Sequence, residues 1–395
     1  MDVLCEQGDL EGAQELAERL VEGYGLRRGD EHPDKLQAIE NLGELLHERG
    51  DTASAARLWG AVLTRYQHVL GAEDARTLTV MSRLARMRFR QRDLDGARHL
   101  QQQLMETRRR LLGPKHPDTV TATRELARTV KAQGDFTLGR QLDRRVLNVT
   151  RELFGKEHID TVGAMRDLAR TEYELGDFVQ ARRLQKRVLQ ALFRILGEEN
   201  PETINAMHEL AVTVHTDGNS TVAQQLLQRA FELTQAVRGD EHPDTLNAMQ
   251  NLSLIMAKAD PAGARFLAQR IVEIRGRLLG DDHADTLAAM LWLAHIAVDV
   301  GDRVSARELA EKVLDRRSCA LGVQHPDTTE AAWFLFNVLC LVDVKSARDV
   351  FRRNLKWLFK VDKEAFTPEQ QHILTSLSCP EFRFLDRILN LTGRR

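Results

Sequence analysis

Leu112-Gly113-Pro114-Lys115-His116-Pro117-Asp118-Thr119 decides how the rest of this 395-residue chain is read, because the same phrase returns at an almost constant interval. It stands earlier as Arg28-Gly29-Asp30-Glu31-His32-Pro33-Asp34 and, in worn form, as Leu70-Gly71-Ala72-Glu73-Asp74. It returns around His158-Ile159-Asp160-Thr161, Asn200-Pro201-Glu202-Thr203 and His242-Pro243-Asp244-Thr245. His283-Ala284-Asp285-Thr286 and His325-Pro326-Asp327-Thr328 complete the series. The motif glycines fall at 29, 71, 113, 155, 197, 239, 280 and 322, a step of 42 residues with a single step of 41. A fixed period of this length marks a solenoid, whose units bury their apolar faces against their neighbours.

Midway between the motif glycines lies a second punctuation: Gly8-Asp9, Gly50-Asp51, Gly134-Asp135, Gly176-Asp177, Gly218-Asn219 and Gly301-Asp302. Arg92-Asp93, Ala259-Asp260 and Val342-Asp343 fill the same slot in degenerate form. Each unit therefore reads as two helices, A and B, joined by a turn in which Gly supplies backbone freedom and Asp an N-cap acceptor. In the longer motif Gly ends helix B and Pro opens the next helix A, where no N–H is needed. Helix A carries Leu followed by a small residue, from Leu42-Gly43 to Leu293-Ala294. Helix B carries a small residue five positions after the turn, including Ala55, Ala97, Gly139 and Ala181. Such residues let paired helices approach closely.

These features together resemble tetratricopeptide repeats, and the 42-residue period with its His-Pro-Asp linker is similar to the kinesin light chain subtype. The resemblance covers roughly residues 1–360. It implies an all-α, right-handed α-solenoid of about eight repeats, with helix A lining a concave groove that binds proteins. Such arrays also serve as sensor modules of larger enzymes or nucleotide-switch proteins, which is the alternative role. The solenoid is expected to span 1–361, with 362–395 as a C-terminal helical cap. Within that cap, Thr367-Pro368-Glu369-Gln370 reads as a capping box, and a second short helix is expected after Pro380. The chain reaches Gly8-Asp9 at once, so the first repeat is expected to lack most of helix A.

Composition excludes several classes. The net charge of −2 gives no global attraction to nucleic acid or membrane. The four cysteines show no framework spacing, and the longest apolar run, residues 331–342, is too short for a span. A cytoplasmic protein without membrane contact is expected. No phosphate-binding or nucleophile motif is present, so neither catalysis nor a cofactor is expected. His208-Glu209 and His215 have the wrong spacing for a metalloprotease helix, and no metal site is expected. The linker histidines read as helix-start residues.

The groove residues follow from the Leu-small pair. In kinesin light chains the position before that Leu is commonly Asn, contacting an extended peptide backbone. Here it reads Asn41, Arg83, Glu125, Asp167, Glu209, Asn251, Trp292 and Phe334, with Asn205 and Asn247 one turn before two of them. Arg86, Arg128 and Arg170 repeat in phase, flanked by Arg90, Arg124 and Arg166. One reading is a basic ladder that binds an acidic or phosphorylated segment of a partner protein. The other is a neutral face in which Glu125 pairs with Arg128, and Asp167 with Arg170, along one helix. Nucleic acid is disfavoured by the scarcity of interleaved aromatics. Further along, Leu254, Leu291, Trp292, His295 and Trp333 predict an apolar end, either free or covered by the cap. Self-association is left open.

Overall fold

The computed structural model describes residues 10–28, 32–340, 342–361 and 366–377. Gly8-Asp9, Gly29, Cys5, Cys379, the helix expected after Pro380 and the stretch on which the expectation about the first helix A rests lie outside the described residues. Among the described residues there are eighteen α-helices and no strand. The A helices are α2 (Pro33–Glu48), α4 (Ala75–Arg90), α6 (Pro117–Ala132), α8 (Ile159–Glu174), α10 (Pro201–Thr216), α12 (Pro243–Met256), α14 (Ala284–Asp299) and α16 (Pro326–Cys340). The B helices are α1 (Leu10–Arg28), α3 (Thr52–Val69), α5 (Leu94–Leu112), α7 (Phe136–Phe154), α9 (Phe178–Leu196), α11 (Ser220–Arg238), α13 (Pro261–Leu279), α15 (Arg303–Leu321) and α17 (Val344–Val350). A last helix, α18, spans Pro368–Leu377. The fold is an all-α solenoid of helical repeats.

Helix starts are satisfied locally at both kinds of turn. The Asp of the mid-unit turn accepts a backbone N–H three residues on, as Asp51 does from Ser54 and Asp135 from Leu138. At six of the A helices the cap is the motif histidine, not the following Asp, while Asp74 caps α4 and Asn200 caps α10. The Nδ1 of His116 accepts the Asp118 N–H at 3.2 Å, and His32, His158, His242, His283 and His325 do the same. Accepting at Nδ1 places the neutral-ring proton on Nε2. In three linkers the motif Thr closes the turn: Thr77, Thr203 and Thr245 donate their hydroxyls to the carbonyls of Gly71, Gly197 and Gly239. In the second repeat Arg92 occupies the turn position held by Gly50, Gly134, Gly176, Gly218 and Gly301 in other repeats, at φ 64°, a strained conformation for a side chain of this size.

The small residues do the packing the spacing predicts. Ala55, Ala97, Ala181, Ala223, Ala264 and Ala306 are fully buried. A Cβ on Gly43 would sit 2.6 Å from the Trp59 indole nitrogen, so this position admits Trp59 only because it is Gly. That indole N–H donates to the Glu40 carbonyl at 3.2 Å.

The chain divides into two compact units, Met1–Ile195 and Leu196–Arg395. The core of unit 1 runs through Leu36, Trp59, Tyr66, Leu84, Leu104 and Leu126. Unit 2 ends in an aromatic core. Phe336 fills the slot that is small in other repeats, is almost fully buried, and packs against Trp333 and Phe351. Beyond Val350 helix B loosens into a π turn (Phe351–Leu355) and a 3₁₀ turn (Lys356–Phe359) that still bury Phe351, Leu355 and Leu358. α18 packs on α16 through Ile373, Leu374 and Leu377. Its start is a reciprocal capping box: Thr367 N–H donates to Gln370 Oε1 at 3.2 Å, and Gln370 N–H to Thr367 Oγ1 at 3.3 Å.

Candidate functional site: the A-helix face

In unit 1, side chains from successive A helices meet across repeats. Glu40 on α2 is 5% exposed and is held by Arg83 of α4 at 2.8 Å, with the Tyr66 hydroxyl donating at 3.4 Å. Burial raises the Glu40 pKa against the opposing pull of Arg83, and burial beside Glu40 pushes Tyr66 up to about 12. Arg83 also reaches Glu44 at 3.2 Å, so this expected ligand cation is taken by the preceding repeat. Arg90 lies 3.2 Å from His47 Nε2. Asn41 is half-buried and accepts from Gln37 at 3.1 Å.

The next step of the row repeats this cross-repeat logic. Arg86 of α4 reaches forward to Glu125 of α6 at 3.0 Å, and Arg124 of α6 lies 3.7 Å from Asp167 of α8. The expected pairing of Glu125 with Arg128 along one helix is only a longer-range attraction: the ion pair that Glu125 makes is with Arg86 of the repeat before it, 39 residues away. Arg128 lies instead over the Phe89 ring, 4.9 Å from its centroid. Lys131 pairs with buried Asp143 at 2.9 Å, and Thr171 donates to the same carboxylate at 2.6 Å. Buried Glu172 is held by Arg144 at 2.8 Å and Arg140 at 3.6 Å. Sequence reading passed over Phe89, Asp143 and Glu172; a polar residue at a helix-B seam position was the available signal for Asp143.

α6, α7 and α8 enclose a cleft of about 600 Å³. Its lining includes four cations, Arg124, Arg128, Lys131 and Arg170, and four acids, Glu125, Asp143, Asp167 and Glu174. Burial raises the carboxyls of Glu125 and Asp167 above their usual range despite the neighbouring cations. Arg166 is half-buried on α8 and is not among the lining side chains.

The face of unit 2 has different contents. Asn205 and Asn247 are exposed, and Asn247 accepts at 3.4 Å from Arg275, a buried guanidinium that also donates to the Asp285 carbonyl. Asn251 lies 3.5 Å from His208, whose pKa burial lowers. Trp292 is half-buried and donates its indole N–H to Ser253 at 3.2 Å. His295 stands between Trp292 and Phe334, its ring 4.0 Å from the latter, and this crowding lowers its pKa. The expected apolar end is narrower than its sequence. Leu291 is 4% exposed and belongs to the core, and Trp333 stacks inward on Phe336, whereas Leu254 is 55% exposed. His215 is bound to Ser220 at 3.1 Å, and burial pushes the Cys340 thiol up to about 11. Among the described residues no group of three or more His, Cys, Asp or Glu could hold a metal ion. No helix among them is long and apolar enough to cross a membrane.

Comparison with known proteins places the repeat. A family model described as tetratricopeptide repeat matches residues 75–138, 125–192 and 202–276, and a second model of the same description matches 36–75 and 286–327. No curated protein matches the chain by sequence. Among solved structures, a Podosopora anserina protein assigned as a kinesin light chain with nearly identical TPR-like repeats is similar at 25% identity. That match covers 52% of this chain and 98% of the other, with a TM-score of 0.49. The apo quorum sensor NprR from B. thuringiensis is similar over 91% of this chain and 99% of its own, at 14% identity and a TM-score of 0.53. A signal transduction ATPase with a tetratricopeptide repeat sensor, from Pyrococcus horikoshii, is similar over 88% of this chain and 53% of its own. There the identity is 12% and the TM-score 0.56. The chain belongs to the tetratricopeptide repeat family.

Proposed function

We propose that this chain is a protein-interaction scaffold whose A-helix face receives an extended segment of a partner protein, carrying acidic residues. Tetratricopeptide arrays generally mediate protein–protein interaction, and the observation that carries the reading here is the cleft between α6 and α8. It is open and peptide-sized, and its charged side chains are held in place by Arg86 of the preceding repeat and by the Lys131–Asp143 pair within the repeat. A uniformly basic ladder is not what these residues build. Arg83, Arg86 and Lys131 are neutralised by Glu40, Glu125 and Asp143, so acidic residues would be met at particular points rather than along the whole row. The same neutralisation weakens the case for nucleic acid, whose affinity grows with the number of phosphates contacted.

A photo-crosslinking amino acid placed at exposed A-helix positions, Asn205 or Asn247, should trap the partner. The same group at exposed B-helix positions, Phe266 or Val304, should not. Adducts arising only from the B helices would overturn the assignment of the face. The alternative role, a sensor module within a larger switch protein, has likeness of fold as its support. Co-purification of a nucleotide-binding or catalytic domain on the same natural polypeptide would establish it.

A further inference from the structure

We propose that the cleft between α7 and α9 binds a small organic phosphate, an ester that carries one phosphate dianion on an apolar body. This site lies on the B-helix side of unit 1 and does not depend on what the A-helix face receives. Charge pairing at the linkers shows how it arises. The second residue after a motif glycine pairs with the following helix B, as Glu73 does with Arg110, Glu157 with Arg194, Glu241 with Arg277 and Asp282 with Arg316. Where that residue is Lys115, its partner is Glu152, so both signs are reversed and the pair is kept. The first residue after the glycine pairs likewise: Glu198 with Arg229 at 2.8 Å, Asp240 with Arg270, and Asp281 with Lys312 at 3.0 Å. In the linker at Gly155 this position is Lys156, and the residue the same 31 positions on is Arg187. Both members are cations, and no exchange of sign restores the pair.

Lys156 and Arg187 line one cleft of about 510 Å³, together with Arg151, Arg194 and a single acid, Glu157, which Arg194 holds. Among the described residues, Arg151, Lys156 and Arg187 make no ion pair and no side-chain hydrogen bond. Unit 2 contains the counterpart, a cleft of about 490 Å³ lined by Asp240, Glu241, Glu273, Arg270 and Arg277. There acids outnumber cations and both cations are paired, so the shape recurs while the charge does not. In the α7–α9 cleft a dianion is attracted about twice as strongly as a monoanion at the same distance. The arginine forks suit phosphate oxygens and the lysine adds a point charge. Half-buried Leu147, Met165 and Leu184 line the same space and offer apolar contact to the organic part of an ester. The preceding linkers of unit 1 are compensated by Glu73–Arg110 and Lys115–Glu152, so the unpaired charge is local and fits one phosphate better than a polymer of them. All four cations are exposed, so binding belongs in the submillimolar range at low salt and weakens as salt is added.

Saturation-transfer NMR titrations of the full chain with phenyl phosphate test this at about pH 8, where the phosphate is a dianion. Wild type should bind phenyl phosphate more tightly than benzoate, which keeps the ring with one charge, and than inorganic phosphate, which lacks the ring. K156E restores the linker acid found at Glu198, Asp240 and Asp281 and gives Arg187 a partner; it should weaken the probe more than about tenfold. R187Q should weaken it about fivefold, and R277Q, in the compensated cleft of unit 2, should leave it unchanged. The three variants alter exposed side chains and should keep the wild-type circular dichroism spectrum. The proposal fails if benzoate or inorganic phosphate binds as tightly as phenyl phosphate, or if K156E binds as wild type does. It fails also if R277Q costs as much as R187Q, which would mark a general response to charge. Tighter binding of a phosphotyrosine decapeptide than of phenyl phosphate would assign the cleft to a modified protein segment and overturn the small-molecule occupant.

Discussion

In unit 1 the A helices meet through ions: Glu40 with Arg83, Arg86 with Glu125, Arg124 with Asp167. In unit 2 the corresponding stretches meet through amides and rings: His208 with Asn251, Ser253 with Trp292, His295 with Phe334. Both units are built from the same two-helix repeat, so the contrast shows what side chains contribute to joining one repeat to the next. Rings join by removing apolar surface from water, and their strength grows with the area buried. Ions join by reach. They are worth little where exposed, and they become consequential where one partner is buried and cannot be left alone.

The largest effect is expected at the aromatic end. Phe336→Ala deletes an almost fully buried ring between Trp333 and Phe351, and should cost about 3–5 kcal/mol in chemical unfolding. A loss under about 1 kcal/mol would mean that burial is not what holds unit 2 together. A smaller effect is expected from Arg83→Gln, which leaves the buried Glu40 carboxylate without its cation. It should destabilise by about 2 kcal/mol, below the full range for a buried pair because Arg83 is 28% exposed. Restoring stability with Glu40→Gln on top of it would identify the stranded charge as the cause.

Mild acid should move the two units in opposite directions, with the smallest effect of the three. Glu40, Glu125 and Asp167 in unit 1 have folded pKa values raised above the ordinary carboxyl range. The folded state then holds more protons than the unfolded chain, so stability rises as pH falls from 7 toward 5. In unit 2, burial lowers His208 and His295, so the unfolded chain holds more protons and stability is lost as pH falls through the ordinary imidazole value. Amide hydrogen exchange read peptide by peptide at pH 7 and 5.5, corrected for the intrinsic rate, should show α4–α8 gaining protection and α10–α14 losing it. Equal changes in both would dissolve the contrast. Below about pH 4 the gain in unit 1 should reverse, because its capping carboxylate Asp51 has a lowered value and loses its contribution when protonated, and unit 2 should lose further stability through Asp302 and Asp343 in the same way.

The repeat, its helices and their boundaries were legible in the sequence because each depends on residues close together in the chain. A Gly at positive φ, an Asp three residues before the N–H it caps, and a Leu beside a small residue act within one or two turns of helix. The repetition of these signals in phase then determined that the units stack. The partners of the charged residues were decided only by the tertiary structure. Glu125 had a cation three residues away on its own helix, yet the contact it makes is with Arg86 of the preceding repeat, while Arg128 turns onto Phe89. That choice depends on how far one helix is offset from the next and on which rotamers the packed neighbours leave open. Neither quantity is written in any short stretch of the chain. The same holds for Leu291, which shares its helix with His295 of the groove face but faces the core. Sequence determined the scaffold because its signals are local; the chemistry of the A-helix face was settled by contacts between residues about forty positions apart.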